Sequence, residues 1–285
     1  MPAEAASAAS AASKNWNDRA RHWAKAAPAG APTASAMQIK RNLIACARLK
    51  PGDHVLDLAS GTGEPAISMA LAVGHGSVTA TDATQAMLDV AITRAAKLGL
   101  ENISFQVTPM QAIAYPDNRF DAVTCRFGLM HSDDAAAGLS QARRVLKPGG
   151  RAAFVVHGPA APNNQWWLVH GAANEFFGSP SDARPARRNR YSGEGETGVL
   201  LQAAGFTDIE EKLFTTETRH RIVPDGGGPA IWRPMLERDF AQPLADLDAA
   251  AAAELEQRLA AAFAEFQDGD EYVLSASQRI TTGVK

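Results

Sequence analysis

Between residues 54 and 157 the sequence alternates short apolar segments with amphipathic ones, and this alternation limits the folds open to the chain. The apolar segments predict strands at 54–59, 78–82, 103–108, 121–126 and 151–157. The segments between them predict helices at 64–73, 85–98 and 133–146. Strands that are apolar throughout are typical of a parallel sheet covered by helices on both faces. The sequence therefore predicts an α/β fold.

The remainder of the chain is less regular than this central part. Residues 1–13 are rich in Ala and Ser and predict a flexible leader. We expect residues 14–285 to form a single domain that begins with N-terminal helices at 14–49. Two segments interrupt its regular pattern, and we expect them to be helical insertions, at 159–195 and 224–267.

Composition and charge exclude several classes of protein. The 285 residues are 46% hydrophobic and 21% charged, so the chain can bury a sizeable core. A net charge of −3 disfavours nucleic acid as a partner. The two cysteines, Cys46 and Cys125, have no paired spacing, so we expect no disulfide, no metal site and a reducing cytoplasm. We also expect no integral membrane segment, and the oligomeric state cannot be read from the sequence.

A glycine-rich turn is the most informative local feature. The first predicted strand runs into it through the segment DLASGTG, which contains Asp57, Ala59, Gly61 and Gly63. Such a turn between a strand and a helix lets backbone N–H groups approach a ligand closely, although a purely structural turn is the alternative. The spacing differs from the GxGxxG fingerprint of dinucleotide-binding proteins, which disfavours a nicotinamide cofactor.

Asp82 strengthens the ligand-binding interpretation of the turn. It ends the second predicted strand, 25 residues after Asp57, where a carboxylate can accept both hydroxyls of a ribose. The alternative is an acidic residue favoured by the dipole of the following helix. Together, the turn and Asp82 predict an adenosine-type cofactor.

Longer motifs identify a family that this chain resembles. DLASGTG resembles motif I of the class I S-adenosylmethionine (SAM)-dependent methyltransferases, with Ala59 in place of the more usual Gly, and ATDATQAMLDVA resembles their second motif. YPDNRFDAVTCRFGLMHSDD and ARRVLKPGGRAAFVV resemble motifs of the broad family that includes the quinone (ubiquinone/menaquinone) C-methylases. The resemblance implies a Rossmann-like, seven-stranded sheet whose last strand is antiparallel, with the insertions forming a cap. Strands predicted at 207–218 and 272–280 complete that sheet.

The resemblance also implies SAM as the cofactor. Its expected ligands follow the first four strands and are Asp57, Ala59, Ser60, Gly61, Gly63, Asp82, Ala83, Met87, Met110, Gln111 and Arg126. Many relatives carry an Asp that contacts the adenine, and Pro109 stands at that position here. We therefore expect the adenine to contact the backbone near Met110 and the amide of Gln111, although Met110 could instead pack in the core.

Methyl transfer depends on positioning, and a general base helps when the acceptor must lose a proton. His131 and His157 follow the fourth and fifth predicted strands and are the candidate bases, with His131 preferred. An alternative role for His131 is to cap the next helix. The candidate acceptor pocket consists of Trp23, Phe127, Trp166, Trp167, His170 and Tyr191. These aromatic residues could equally pack the cap onto the sheet.

A basic cluster lies beside Tyr191 and contains Arg184, Arg187, Arg188 and Arg190. It could bind a carboxylate or phosphate of the substrate, or it could belong to a solvated loop. The sequence as a whole predicts a SAM-dependent methyltransferase acting on a small molecule, with a specialised metabolite as the preferred acceptor. One alternative is a quinol or polyprenyl-ring C-methyltransferase. Another is a SAM-binding protein that does not transfer methyl groups and instead has a cyclisation or regulatory role.

Overall fold

A computed structural model describes residues 34–178, 187–222 and 230–285 of the chain. The predicted leader at 1–13, the part of the predicted N-terminal helices that contains Trp23, and Arg184 lie outside these residues. The second predicted N-terminal helix is present as α1, Ala34–Cys46.

The described residues form one twisted sheet with helices packed on it. In chain order the strands are β1 His54–Leu58, β2 Ser77–Asp82, β3 Ile103–Val107, β4 Phe120–Arg126, β5 Leu146–His157, β6 Thr207–Arg221, β7 Gln267–Asp268 and β8 Glu271–Val284. Their order in the sheet is β3-β2-β1-β4-β5-β8-β6, and β7 pairs with β8. The first five strands are mutually parallel, as their apolar sequences predict. Parallel strands bring the carboxyl ends of β1 to β5 to one edge, where ligands bind in such sheets.

The last long strand runs antiparallel to β5, which confirms the predicted sheet. Near the start of β5, Lys285 donates its N–H to the carbonyl of Gly150 at 3.0 Å. Just past the end of β5, Gly158 donates to the carbonyl of Ser277 at 2.8 Å. β8 and β5 therefore run in opposite directions. The short strand β7, which the sequence does not predict, forms an antiparallel hairpin with the start of β8.

The other helices follow α1 along the chain, and side chains cap the N-termini of some of them. They are α2 Ala66–Val73, α3 Gln85–Lys97, α4 Ala135–Val145, α5 Gln165–Phe177, α6 Glu196–Ala203, α7 Arg233–Asp239, α8 Ala241–Ala245 and α9 Ala249–Ala264. The carboxylate of Asp134 accepts the N–H of Ala137 at 2.8 Å and caps α4. The cap of this helix is therefore Asp134, and not His131. In the described ranges, no helix is both long and apolar enough to cross a membrane.

The described chain divides into two compact units. The first contains the described part of Met1–His157 together with Asn189–Leu213 and Arg279–Lys285. Its core packs β1, β4 and β5 against α4 and α6, through side chains such as Leu56, Phe154 and Leu201. The second unit contains Gly158–Arg188 and Phe214–Gln278, and so includes most of both predicted insertions. It has an apolar cluster of its own, centred on Leu236, Leu259 and Phe263.

Candidate functional site

The turn after β1 is tightly closed and has left-handed backbone at three alternate positions. Ala59, Gly61 and Gly63 have φ of 52°, 54° and 101°. A Cβ on Gly63 would lie 2.8 Å from the Ile67 Cδ1 atom and 3.2 Å from the Ala91 Cα atom, so only glycine allows α2 and α3 to approach this closely. A Cβ on Gly61 would meet no atom within 4 Å. The backbone at Gly61 is therefore open to a ligand.

Ser60 stabilises this turn from within. Its N–H donates to the carbonyl of Thr81 at 2.8 Å, and its hydroxyl donates to the carbonyl of Asp57 at 2.9 Å. The side chain is buried. Ser60 thus joins the turn to both β1 and β2, and its predicted contact with the cofactor remains a prediction.

Asp82 faces the same turn from the end of β2. Its two carboxylate oxygens accept the N–H of Gly61 and the N–H of Thr84, both at 2.9 Å. Burial raises the pKa of the Asp82 carboxyl above its ordinary value, and the backbone donors oppose that rise. A carboxylate oxygen accepts more than one hydrogen bond, so Asp82 retains capacity for the two hydroxyls of a ribose.

Asp57 and Arg126 place opposite charges in the buried ends of β1 and β4. One Asp57 oxygen accepts the Thr124 hydroxyl at 2.7 Å, while the other, Oδ2, has no hydrogen-bond partner among the described residues. Burial raises the pKa of this carboxyl to about 6. Burial lowers the pKa of the Arg126 guanidinium, against the opposing charges of Glu64 and Asp57. The Arg126 Nε atom is also buried without a described partner.

These two unpartnered atoms allow a test of cofactor fit. A buried charged group that lacks part of its hydrogen bonding is costly unless a ligand completes it. Asp57 Oδ2 can accept from an ammonium, and Arg126 Nε can donate to a carboxylate. The methionine part of SAM carries both groups, and its ribose suits Asp82. The described residues therefore fit SAM at this edge of the sheet.

The other predicted cofactor residues lie at the same edge, with different exposure. Ala83 follows β2 and is exposed, and Met87 is buried in α3. Met110 and Gln111 belong to a short 3-10 helix after β3, Met110–Ala112. Gln111 is exposed, whereas Met110 packs into the core, where a Cβ on Gly138 would lie 2.9 Å from its sulfur. The core-packing interpretation of the Met110 side chain is thus supported, and contact of these residues with adenine stays a prediction.

The ends of β4 and β5 bring both candidate bases into the first unit. Phe127 follows β4 with φ of 56° and stacks on the His157 ring, with ring centroids 4.3 Å apart. His131 ends a short 3-10 helix, Leu129–His131, and is half-buried. Side chains held in unusual backbone conformations cluster at functional sites. Contact of Phe127, His131 and His157 with an acceptor stays a prediction.

The second unit brings three of the predicted pocket residues together. Trp166 stacks on His170 with centroids 3.9 Å apart and meets Trp167 edge to face at 4.9 Å. The His170 Nε2 atom lies 3.1 Å from an Asp239 carboxylate oxygen, and both side chains are almost fully buried. Arg238 also bonds this carboxylate. Burial opposes ionisation, yet these two partners hold the pKa of Asp239 well below its usual range.

Sequence reasoning did not find Asp239 or Arg238. The partner of His170 lies 69 residues away in the chain, so no local spacing indicates it. Phe127 and Tyr191 belong to the first unit, and Trp23 lies outside the described residues. No group of three or more His, Cys, Asp or Glu residues that could hold a metal occurs in the described part of the chain.

Comparison with known proteins places this geometry in a family. A family model described as "Methyltransferase domain" matches residues 55–150. The 2-phytyl-1,4-naphtoquinone methyltransferase of Synechococcus elongatus is 41% identical over 178 residues, which cover 59% of this chain and 76% of that protein. The chain belongs to the class I SAM-dependent methyltransferase family. SAM is the cofactor of this family, in agreement with the fit found at Asp57, Asp82 and Arg126.

Other relatives match over a shorter length. The ubiquinone/menaquinone biosynthesis C-methyltransferase UbiE of Stenotrophomonas maltophilia is 44% identical over 115 residues, which cover 40% of this chain and 46% of that protein. The chain therefore aligns with less than half the length of that relative. A solved structure of phosphoethanolamine N-methyltransferase 2 from Haemonchus contortus, in complex with SAM, has a TM-score of 0.52. It is 20% identical, covers 87% of this chain and 52% of that chain, and shows the shared fold.

Proposed function

We propose that the chain transfers a methyl group from SAM to a ring carbon of a quinol-type acceptor. The observation that carries this proposal is the match to a naphthoquinone methyltransferase over three-quarters of that relative's length. The relative that matches over a shorter length is also named as a quinone C-methyltransferase. These names favour the quinol alternative over the specialised metabolite that the sequence analysis preferred.

Residues at the carboxyl ends of the strands would bind and position SAM. SAM supplies a methyl group that is already activated on a sulfonium. Asp82 and the turn at Gly61 would hold its ribose, while Asp57 and Arg126 would hold its amino-acid end. Positioning of this kind accounts for a large share of catalysis in bimolecular transfers.

A histidine at the end of β4 or β5 would prepare the acceptor. We assign to His131, with His157 as the alternative, the removal of a proton from a quinol hydroxyl. Loss of that proton places negative charge on the neighbouring ring carbon. With SAM bound, its activated methyl group would pass to that carbon and S-adenosylhomocysteine would leave. The ring carbon would then release its hydrogen as a proton, and the quinol oxygen would regain the proton held by the histidine. The Phe127 ring stacks on the His157 ring and would exclude water.

The role of residues 159–195 and 224–267 as a cap that selects the acceptor stays a prediction, and Trp166 allows it to be tested. Trp166, Trp167 and His170 combine aromatic surface with a buried polar pair, a composition that suits a ring carrying hydroxyl groups. Truncation of Trp166 to Ala is expected to raise KM for the acceptor and to leave the affinity for SAM unchanged.

Transfer of isotope from methyl-labelled SAM tests the proposed function. Reduced 1,4-naphthoquinols and benzoquinols with a short prenyl chain serve as acceptors, and NMR of the product distinguishes a ring-carbon methyl from a methyl ether. We expect the label on a ring carbon of the product. Asp82→Asn should lose this labelling, and the exposed-site control Asp89→Asn should retain it. Binding of SAM without labelled product from any acceptor would favour a cyclisation or regulatory role.

A further inference from the structure

The Arg190 side chain joins two separate segments of the first unit. One terminal nitrogen donates to the carbonyl oxygens of Ser132, at 2.9 Å, and Met130, at 3.3 Å. The other donates to the Tyr191 hydroxyl oxygen at 2.7 Å. The two carbonyls belong to the residues on either side of His131. A single guanidinium thus holds the backbone that carries the candidate base.

The segment that carries Arg190 is itself firmly held. Tyr191 has φ of 67°, a left-handed conformation that a tyrosine keeps only when its surroundings impose it. Arg279 donates to the carbonyl of Ser192 at 2.8 Å and pairs with Glu211, also at 2.8 Å, with both side chains largely buried. Glu211 in turn accepts the N–H of Gly195 at 3.0 Å. These contacts hold the backbone next to Arg190 in place.

The segment that Arg190 contacts is a short connection between β4 and α4, in which Leu129 and Met130 are fully buried. It starts at Phe127, which is left-handed, and contains a single 3-10 turn in which the His131 N–H donates to Gly128 at 2.9 Å. Hydrogen bonds from a charged planar guanidinium are about twice as strong as neutral ones and fix orientation. Loss of Arg190 would release the turn that carries His131.

We propose that Arg190 is a positioning residue for methyl transfer, which fixes His131 and the Tyr191 hydroxyl relative to each other. This inference rests on the proposed function. The sequence left open whether Arg190 binds an anionic group or lies in a solvated loop, and in the structure both of its terminal nitrogens donate to oxygens of the chain. Tyr191 accepts a hydrogen bond from Arg190, so its own O–H hydrogen remains able to donate to an oxygen of the acceptor.

Steady-state kinetics of Arg190→Gln, with SAM and a reduced naphthoquinol, tests this role. A displacement of about 1 Å can cost about 100-fold in rate, so we expect kcat to fall about 10- to 100-fold. The Kd for SAM should stay within about twofold of wild type. Arg190→Lys should recover part of the lost kcat, because an ammonium donates to the carbonyls but lacks the planar fork. A wild-type kcat in Arg190→Gln would overturn the proposal.

A matched control and a second measurement separate positioning from general damage. Arg143→Gln removes another arginine–carbonyl bond of the same unit, from Arg143 Nε to the Gly205 oxygen at 2.8 Å, and should keep the wild-type kcat. Amide hydrogen exchange should be about tenfold faster at residues 128–133 in Arg190→Gln, and unchanged at 55–63. Unchanged exchange at 128–133 would overturn the role proposed for Arg190, whatever the substrate of the wild type. Failure of the wild type to methylate any quinol would refute the proposed function and leave the exchange test valid.

Discussion

The buried carboxyl of Asp57 makes the stability of the fold depend on pH in a defined direction. Burial raises its pKa in the folded chain to about 6, against about 3.9 for an unfolded chain. The folded state therefore binds the proton more tightly. The free energy of unfolding should fall as pH rises from about 4 through about 6, and should level off about one pH unit above the folded pKa. Two pKa units correspond to about 3 kcal/mol, of which about 1.4 kcal/mol falls between pH 5 and 7.5.

Asp57→Asn isolates this contribution, because asparagine keeps the side-chain volume and can still accept the Thr124 hydroxyl. Urea unfolding at several pH values from 5 to 7.5 provides the measurement. We expect wild type to lose about 1.4 kcal/mol more than Asp57→Asn across that range. Asp89→Asn, which changes an exposed carboxylate, should follow wild type. Parallel pH profiles for wild type and Asp57→Asn would refute the reasoning.

Two further substitutions test the packing of the site and of the second unit. A Cβ on Gly128 would lie 2.5 Å from that of Ala59, so Gly128→Ala should cost about 1–3 kcal/mol in urea unfolding. Adding Ala59→Gly removes one close contact, and should restore about 1 kcal/mol beyond the effect of Ala59→Gly alone; simple additivity would contradict this coupling. Asp239→Asn leaves the buried His170 without its charged partner and should cost about 3 kcal/mol. The exposed control Asp246→Asn should cost less than about 0.5 kcal/mol, and an equal cost in both variants would contradict the account.

The fold could be predicted from the sequence because its information is local. Four of the five parallel strands contain a run of buried residues, such as Val55–Leu58 within β1, and the helices predicted from the pattern follow β1, β2 and β4. The edge strand β3 has no fully buried residue. The two-residue strand β7 could not be predicted. It contains only exposed polar residues, and it depends on pairing with β8.

The candidate site was predictable where ligand binding requires a particular backbone or charge. The turn at Gly61 and Gly63 and the carboxylate of Asp82 follow from that requirement. Other contacts join residues about 60 to 70 positions apart: His170 with Asp239, and Arg190 with Met130. No local sequence pattern indicates contacts over such a separation. The sequence showed that Ala59 replaces the more usual Gly of motif I. Its left-handed backbone and its close approach to Gly128 became evident only in the structure.

Calorimetric titration of SAM and of S-adenosylhomocysteine into wild type, Asp82→Ala and Asp89→Ala tests the central claim most directly. We expect wild type and Asp89→Ala to bind with a micromolar Kd, about −8 kcal/mol. Loss of the charged acceptor in Asp82→Ala should weaken binding about 10- to 100-fold. Equal affinity in Asp82→Ala and wild type, or no binding by wild type, would contradict the cofactor site described at the carboxyl ends of β1, β2 and β4.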